Sequence, residues 1–219
     1  MESIFEFLQS IQVPMIETFT MVSIATLASV ILGLPLGIIL TVTDKGHILE
    51  NKTVNTIIGT LVNIFRSIPF IILLIALFPL SKLILGTSIG TKAATLALSV
   101  AAAPFVARII ESSLKEVSYG LIEASLAAGA TNLQVIFKVM LPEALPSLIL
   151  GITLSIINIL GYSAMAGAVG GGGIGDYVIR EGYQRYNNEI VILTIIVLII
   201  LVEIIQQSGN FLARKFDKR

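Results

Sequence analysis

Five long apolar stretches, separated by short polar breaks, constrain this chain of 219 residues more than any other feature. They cover approximately residues 18–42, 54–80, 93–113, 144–166 and 189–207. A bilayer core about 30 Å thick is crossed by about 20 residues of α-helix, with a working range of about 17–25. The first, second and fourth stretches fit comfortably. The third and fifth reach the length by drawing residues 111–113 and 206–207 into the interface. All five are continuously apolar rather than alternating, which argues for helices over a β-barrel, since lipid satisfies no backbone group. The expected fold class is an all-α integral membrane protein with five transmembrane helices, forming one domain over residues 1–219.

Composition supports this and narrows the function classes. Only 13% of residues are charged and 55% are hydrophobic, with a mean hydropathy of +0.95. Soluble domains carry about 25% charged residues, so a water-exposed surface of this size lacks the means to cover itself. Lys and Arg total 14, and Asp and Glu total 14, which leaves no basic face for nucleic acid. Cys is absent and His47 is the single histidine, so disulfides, thiolate metal sites and cysteine nucleophiles are excluded. An intramembrane hydrolase would need a nucleophile–base pair or metal ligands inside the spans, and His47 falls in a loop. The leader, residues 1–14, has no Lys or Arg and contains Glu2 and Glu6, unlike a signal peptide, and reads as retained.

Five spans put the termini on opposite sides, and positive charge orients them. Lys82, Lys92, Arg180 and Arg185 lie on the side of the N-terminus. Lys45, Lys52, Arg108, Lys115, Lys138, Arg214, Lys215, Lys218 and Arg219 lie on the other. The bias places the C-terminus and the connection 118–142 in the cytoplasm. The N-terminus and the glycine-rich connection 167–188 are then outside.

The connection 118–142, SYGLIEASLAAGATNLQVIFKVMLP, reads locally as two short helices with a break between them. Leu121, Ile122, Ser125, Leu126, Ala127 and Ala128 form a helix of high propensity. Gly129 supplies the left-handed residue that ends it. Thr131 and Gln134, at Thr-x-x-Gln spacing, form a capping box that restarts a helix through Leu133, Ile136 and Phe137. Pro142 and Glu143 are expected to open the fourth span. Physics alone leaves two readings: an amphipathic connector on the membrane, or a docking element whose small residues permit close approach to another protein.

Glu123-Ala124-Ser125, three residues, Gly129, nine residues and then Val139-Met140-Leu141-Pro142 resembles the "EAA…G…I-x-L-P" motif of binding-protein-dependent ABC importer permeases. Ser125 and Val139 are small departures from it. The resemblance implies a cytoplasmic coupling helix between the third and fourth spans that fits a cleft on an ATP-binding subunit. Glu123, Ala124, Ser125, Gly129, Leu141 and Pro142 would carry that contact. Glu123 could instead shape the turn by capping.

The run from Gly167 to Asp176 is rich in glycine, but no Gly-Lys-Ser/Thr follows and no strand precedes it, so it is not a nucleotide-binding loop. A flexible linker and a tight, closely packed turn both remain open, and the second is preferred because small residues let backbones approach. Tyr177, Tyr183 and Tyr186 suit a membrane interface. The run GYSAMAGAVGGGGIGDYVIREGYQRYN, with Arg66-Ser67-Ile68-Pro69-Phe70, resembles the permease subunits of bacterial methionine importers. That resemblance implies import of methionine, both L and D, across the bacterial plasma membrane. It implies a homodimer, two ATP-binding subunits, an external methionine-binding lipoprotein and no cofactor; another small amino acid or related solute is the alternative. ATP hydrolysis would belong to the separate subunit, so the chain itself would not be an enzyme.

No acid falls at mid-span: Glu17, Glu111, Glu189 and Glu203 lie near span ends, which disfavours a proton or sodium relay. Arg66 is the one basic residue well inside an apolar run. Either an interfacial helix starts near Val54, with Arg66 snorkelling and Pro69 kinking the entry to the true span, or Arg66 faces the pathway or the dimer partner. Ser163 and Met165, at the outer end of the fourth span, are candidates to line or close an outer gate. A Met thioether packs well against apolar side chains, and Met165 serves equally as ordinary helix packing.

Overall fold

The structure, a computed structural model, describes residues 2–217, and among these every regular element is helical. Lys218 and Arg219 of the basic tail lie outside the described residues. In chain order come α1 (Glu2–Ser10), α2 (Gln12–Val42), α3 (Lys52–Ser67), α4 (Phe70–Leu85), α5 (Thr91–Lys115), α6 (Tyr119–Ala127) and α7 (Asn132–Val135). A π turn at Ile136–Met140 leads into α8 (Leu141–Glu143) and α9 (Leu145–Ala168). α10 (Gly173–Tyr177), a second π turn at Val178–Tyr183 and α11 (Asn188–Phe216) complete the chain.

α2, α5, α9 and α11 are each long and apolar enough to cross a membrane, and α3 with α4 make a fifth candidate only if counted together. The stretch 54–80, expected as one span, is thus two helices meeting at 107°. The cause is local. Pro69 disfavours helical backbone at the residue before it and sits at φ −53°, ψ 132°, an extended conformation, immediately before α4. α3 interleaves Lys52, Asn55, Asn63 and Arg66 with exposed Ile57, Leu61 and Ile64, an amphipathic pattern, whereas α4 is nearly all apolar. α4 alone, with 16 residues, reaches about 24 Å. The first long helix begins at Gln12 rather than near residue 18. Pro14 lies in its first turn, where a missing N–H costs little.

The chain forms two compact units. The first comprises the residues up to Ala28, Ile68–Ala102 and Ile156–Ile205. Its core gathers Met21, Ala25, Leu74, Ala94, Leu98 and Ile159. Phe70 stacks face to face on Tyr162, ring centroids 3.9 Å apart at 7°. A smaller cluster joins Phe7, Ile11 and Tyr177.

The second unit comprises Ser29–Ser67, Ala103–Ser155 and the chain from Gln206. Its core holds Val106, Ile110, Leu114, Ile122, Val135, Met140 and Leu148. α2 meets α5 here through small residues: Gly33 and Gly37 lie against Ala103 and Ala107. A methyl on Gly37 would stand 2.7 Å from the Ala107 carbonyl oxygen, and one on Gly33 would stand 3.0 Å from that of Ala103. Glycines four apart on a lipid-soluble helix commonly mark such close backbone approach.

Candidate functional site

The connection between α5 and α9 folds as its local chemistry dictates. α6 ends in a Schellman motif: the Gly129 N–H donates to the Leu126 carbonyl at 2.9 Å, and the Ala130 N–H to that of Ser125 at 3.1 Å. Gly129 holds φ +87°, which an L side chain adopts only with strain. Thr131 then caps α7. Its hydroxyl accepts the Gln134 N–H at 3.3 Å while the Gln134 side chain accepts the Thr131 N–H at 2.9 Å. Pro142 and Glu143, expected to open the fourth span, lie in α8, after the helical path has already begun at α7. The helical path runs on from α7 through the π turn, where the Leu141 N–H reaches back five residues to Ile136, and through α8 towards α9. Pro142 has no N–H to satisfy the carbonyl four residues earlier, and the widened turn lies immediately ahead of it.

One face of this connection is buried and the other is open. Ile122, Val135, Ile136 and Met140 sit in the core of the second unit. Glu123, Ala124, Ala127, Ala128, Gly129 and Pro142 are exposed, while Ser125 and Leu141 are half-buried. Leu133 and Phe137 expose large apolar side chains beside them. The Ser125 hydroxyl is engaged by its own helix, donating to the Leu121 carbonyl at 2.8 Å. The turn is closed by backbone bonds alone, so Glu123 is not needed as a cap. A small-residue surface carrying one acid and flanked by apolar side chains suits docking into a protein groove better than solvation alone.

The glycine-rich segment of the first unit is a packed turn, not a linker. A Cβ on Gly167 or Gly175 would drive into the facing backbone, for Gly175 at 2.6 Å from the Ala164 Cα. The Gly90 N–H donates to the Gly170 carbonyl at 2.9 Å. Gly172 precedes α10 and has no side chain with which to cap it, so α2 supplies the cap. The Glu17 carboxylate accepts the Gly173 N–H at 2.7 Å, and the Thr18 hydroxyl accepts the Ile174 N–H at 2.8 Å. Tyr177, expected at an interface, is buried against Phe7, with its hydroxyl 2.6 Å from that of Ser10. Tyr183 and Tyr186 are exposed. Sequence reasoning missed the roles of Glu17 and Thr18, because a cap supplied from over 150 residues away leaves no local signal.

At the end of α9 the two gate candidates part company. Met165 is 47% exposed, whereas Ser163 is 2% exposed and its hydroxyl donates to the Leu160 carbonyl at 2.7 Å. Arg66 lies on α3, exposed, one residue before the helix ends. Pro69, in an extended conformation, separates that helix from α4.

Long apolar helices, an exposed helix–turn–helix connection and a packed glycine turn are those of a helical integral membrane protein. The family described as binding-protein-dependent transport system inner membrane component matches residues 33–219, and the chain belongs to it. A Vibrio cholerae protein named probable D-methionine transport system permease protein MetI is 51% identical over 203 residues, 93% of this chain and 90% of its own. The methionine import system permease protein MetP of Bacillus subtilis is 45% identical over 181 residues, 83% of this chain and 82% of its own. A solved structure of the MetNI methionine ABC transporter in inward-facing conformations superposes with a TM-score of 0.90 at 46% identity, covering 92% of this chain and 94% of that one.

Proposed function

We propose that the chain is the permease subunit of an ATP-driven importer carrying methionine, L and D, across the bacterial plasma membrane. The observation that carries this reading is near-full-length similarity, at 45–51% identity, to permeases named for methionine transport. Two copies would work with two ATP-binding subunits and an external methionine-binding lipoprotein. Hydrolysis would belong to the ATP-binding subunits and not to this chain.

The exposed face of Glu123, Ala124, Ser125 and Gly129, continued by Leu141 and Pro142, is the proposed contact with the ATP-binding subunit. The charge distribution supports a cytoplasmic location for it. Among the described residues, Lys82, Lys92, Arg180 and Arg185 are the basic residues of the first unit, and the other eight fall in the second. By the positive-inside rule the connection 118–142 and the C-terminus face the cytoplasm, with the N-terminus outside and five spans in all. Met165, exposed beside the glycine turn, and Ser163, buried two residues before it, are the proposed gate residues, and Arg66 is proposed to face the pathway or the dimer partner.

Uptake of labelled methionine tests the assignment, in cells lacking their own importer and supplied with this chain, its ATP-binding subunit and its binding protein. Uptake should persist when the proton gradient is collapsed while ATP is maintained, and should be competed by D-methionine. Uptake that stops with the gradient at constant ATP, or that another amino acid competes better than methionine, would overturn it. In the same complex, Met165→Ala should leave thermal stability nearly unchanged, since exposed truncations typically cost under about 0.5 kcal/mol. Basal ATP hydrolysis should rise, or uptake should depend less on the binding protein.

A further inference from the structure

A chain of charged groups in the second unit joins elements that the docking surface does not touch. The buried Glu111 carboxylate on α5 is its joint: one oxygen pairs with Arg108 and the other with Lys115 at 2.9 Å. Lys115 also binds Asp44, beyond the end of α2, at 2.6 Å. Arg108 reaches in the other direction to α3, donating to the Gly59 carbonyl at 3.2 Å and the Asn63 side-chain oxygen at 2.9 Å. Lys115 is the last residue of α5, three before Ser118, which opens α6. α3 is the arm before the 107° bend into α4. The polar links therefore run from the root of the exposed connection to the arm of the bend.

From this geometry we infer that Glu111 and Arg108 are positioning residues that transmit displacement of α6 to α3 and so to the α3–α4 bend. The inference rests on the proposed role of α6 as the contact with an ATP-binding subunit. A buried carboxylate holding two cations in fixed directions resists loss of either partner, because the remaining charge is left uncompensated. Arg108 uses its fork to hold Glu111 and α3 together, a geometry that a lysine cannot reproduce. α5 and α3 must then move as one body. Leu114, Val117 and Ile122 pack in one core beneath the same junction, so a tilt of α6 is passed to the end of α5.

The test uses Asn63→Ala and Arg108→Lys in the complete complex with its ATP-binding subunits and binding protein, in lipid vesicles. Asn63 is exposed and its truncation spares the core. Arg108→Lys keeps the charge facing Glu111. The chain has no native cysteine, so Ser67→Cys at the end of α3 gives a single reporter of that arm. Without other changes, its labelling by a maleimide should differ about fivefold between nucleotide-free and vanadate-trapped complexes, a typical allosteric coupling. Each variant should abolish that difference while ATP hydrolysis stays within about twofold, and should lower solute moved per ATP about tenfold. Retention of the nucleotide-dependent labelling, its absence without either variant, or hydrolysis falling together with thermal stability would each overturn the inference. A nucleotide-dependent change without methionine uptake would instead overturn the proposed solute and leave the transmission standing.

Discussion

Two regions of this molecule share one local design and use it oppositely. In the exposed connection between α5 and α9, α6 ends at Gly129, α7 restarts and a π turn follows. In the glycine-rich segment, α9 ends, glycines at positive φ follow, α10 restarts and a π turn comes next. The difference lies in what completes each restart. α7 is capped by its own Thr131–Gln134 box, and a Cβ on Gly129 would meet nothing within 4 Å. α10 borrows its cap from Glu17 and Thr18, and Gly167 and Gly175 are wedged against facing backbone. A restart that satisfies its own N–H groups leaves a whole face free for a partner. One that depends on tertiary contact is committed to the interior.

Substitution at the wedged glycines breaks this contrast most forcefully. Gly175→Val would force a branched side chain into the Ala164 backbone, a contact that rotamer changes cannot relieve. Overpacking of this kind costs about 3 kcal/mol or more. The expected outcome is loss of folded protein on detergent extraction, read by size-exclusion yield and thermal unfolding. Recovery of a normally stable Gly175→Val protein would mean that the glycine segment is not packed as described.

The same contrast explains what was legible in the sequence. The Thr131–Gln134 box and the left-handed Gly129 are local events, set by residues within three or four positions, and both were readable from spacing. The apolar runs announced membrane helices for the same reason. The bend at Pro69 was only half legible. Arg66 and Pro69 marked an irregularity, but hydropathy continued across it, since α3 carries Ile57, Leu61, Ile64 and Phe65 on its exposed side. Nothing in the sequence pairs Glu17 with Gly173, Ser10 with Tyr177, or Arg108 with Asn63. Those contacts arise only once helices far apart in sequence lie side by side. Gly33 and Gly37 did carry a signal, a four-residue glycine spacing opposite the Ala103 and Ala107 spacing, that periodicity analysis of each span alone does not weigh.

At Gly129 the expected effect on stability is smaller and the effect on function larger. A β-branched side chain at φ +87° meets no neighbour, so the cost is backbone strain alone, about 1–2 kcal/mol. Gly129→Val should insert and fold, with a thermal transition lowered by a few degrees. It should lose association with the ATP-binding subunit and ATP-driven uptake, because α7 no longer leaves the turn in the same direction. Full uptake by a well-expressed Gly129→Val protein would remove this turn from the docking surface.

The smallest effect should come from acid at the root of the open connection. His47 packs its ring edge-on to Tyr119, the first residue of α6, with centroids 6.2 Å apart. Burial pushes its imidazole below the ordinary value of 6.5, and Lys115 acts in the same direction against the opposing pull of Asp44. The folded chain therefore binds its proton less readily than the unfolded chain. The stabilisation is complete above about pH 6.5 and declines as pH falls through the lowered folded value. Asp44, held below the carboxylate range chiefly by the Lys115 ammonium, loses its contribution only in a lower and separate window. Amide exchange across α6 should therefore quicken modestly, once corrected for intrinsic rates, between pH 7.5 and 5.5, with no matching change at the glycine segment. His47→Gln should flatten that dependence. Equal acid sensitivity in both segments, or none in α6, would show that the open connection does not titrate through His47.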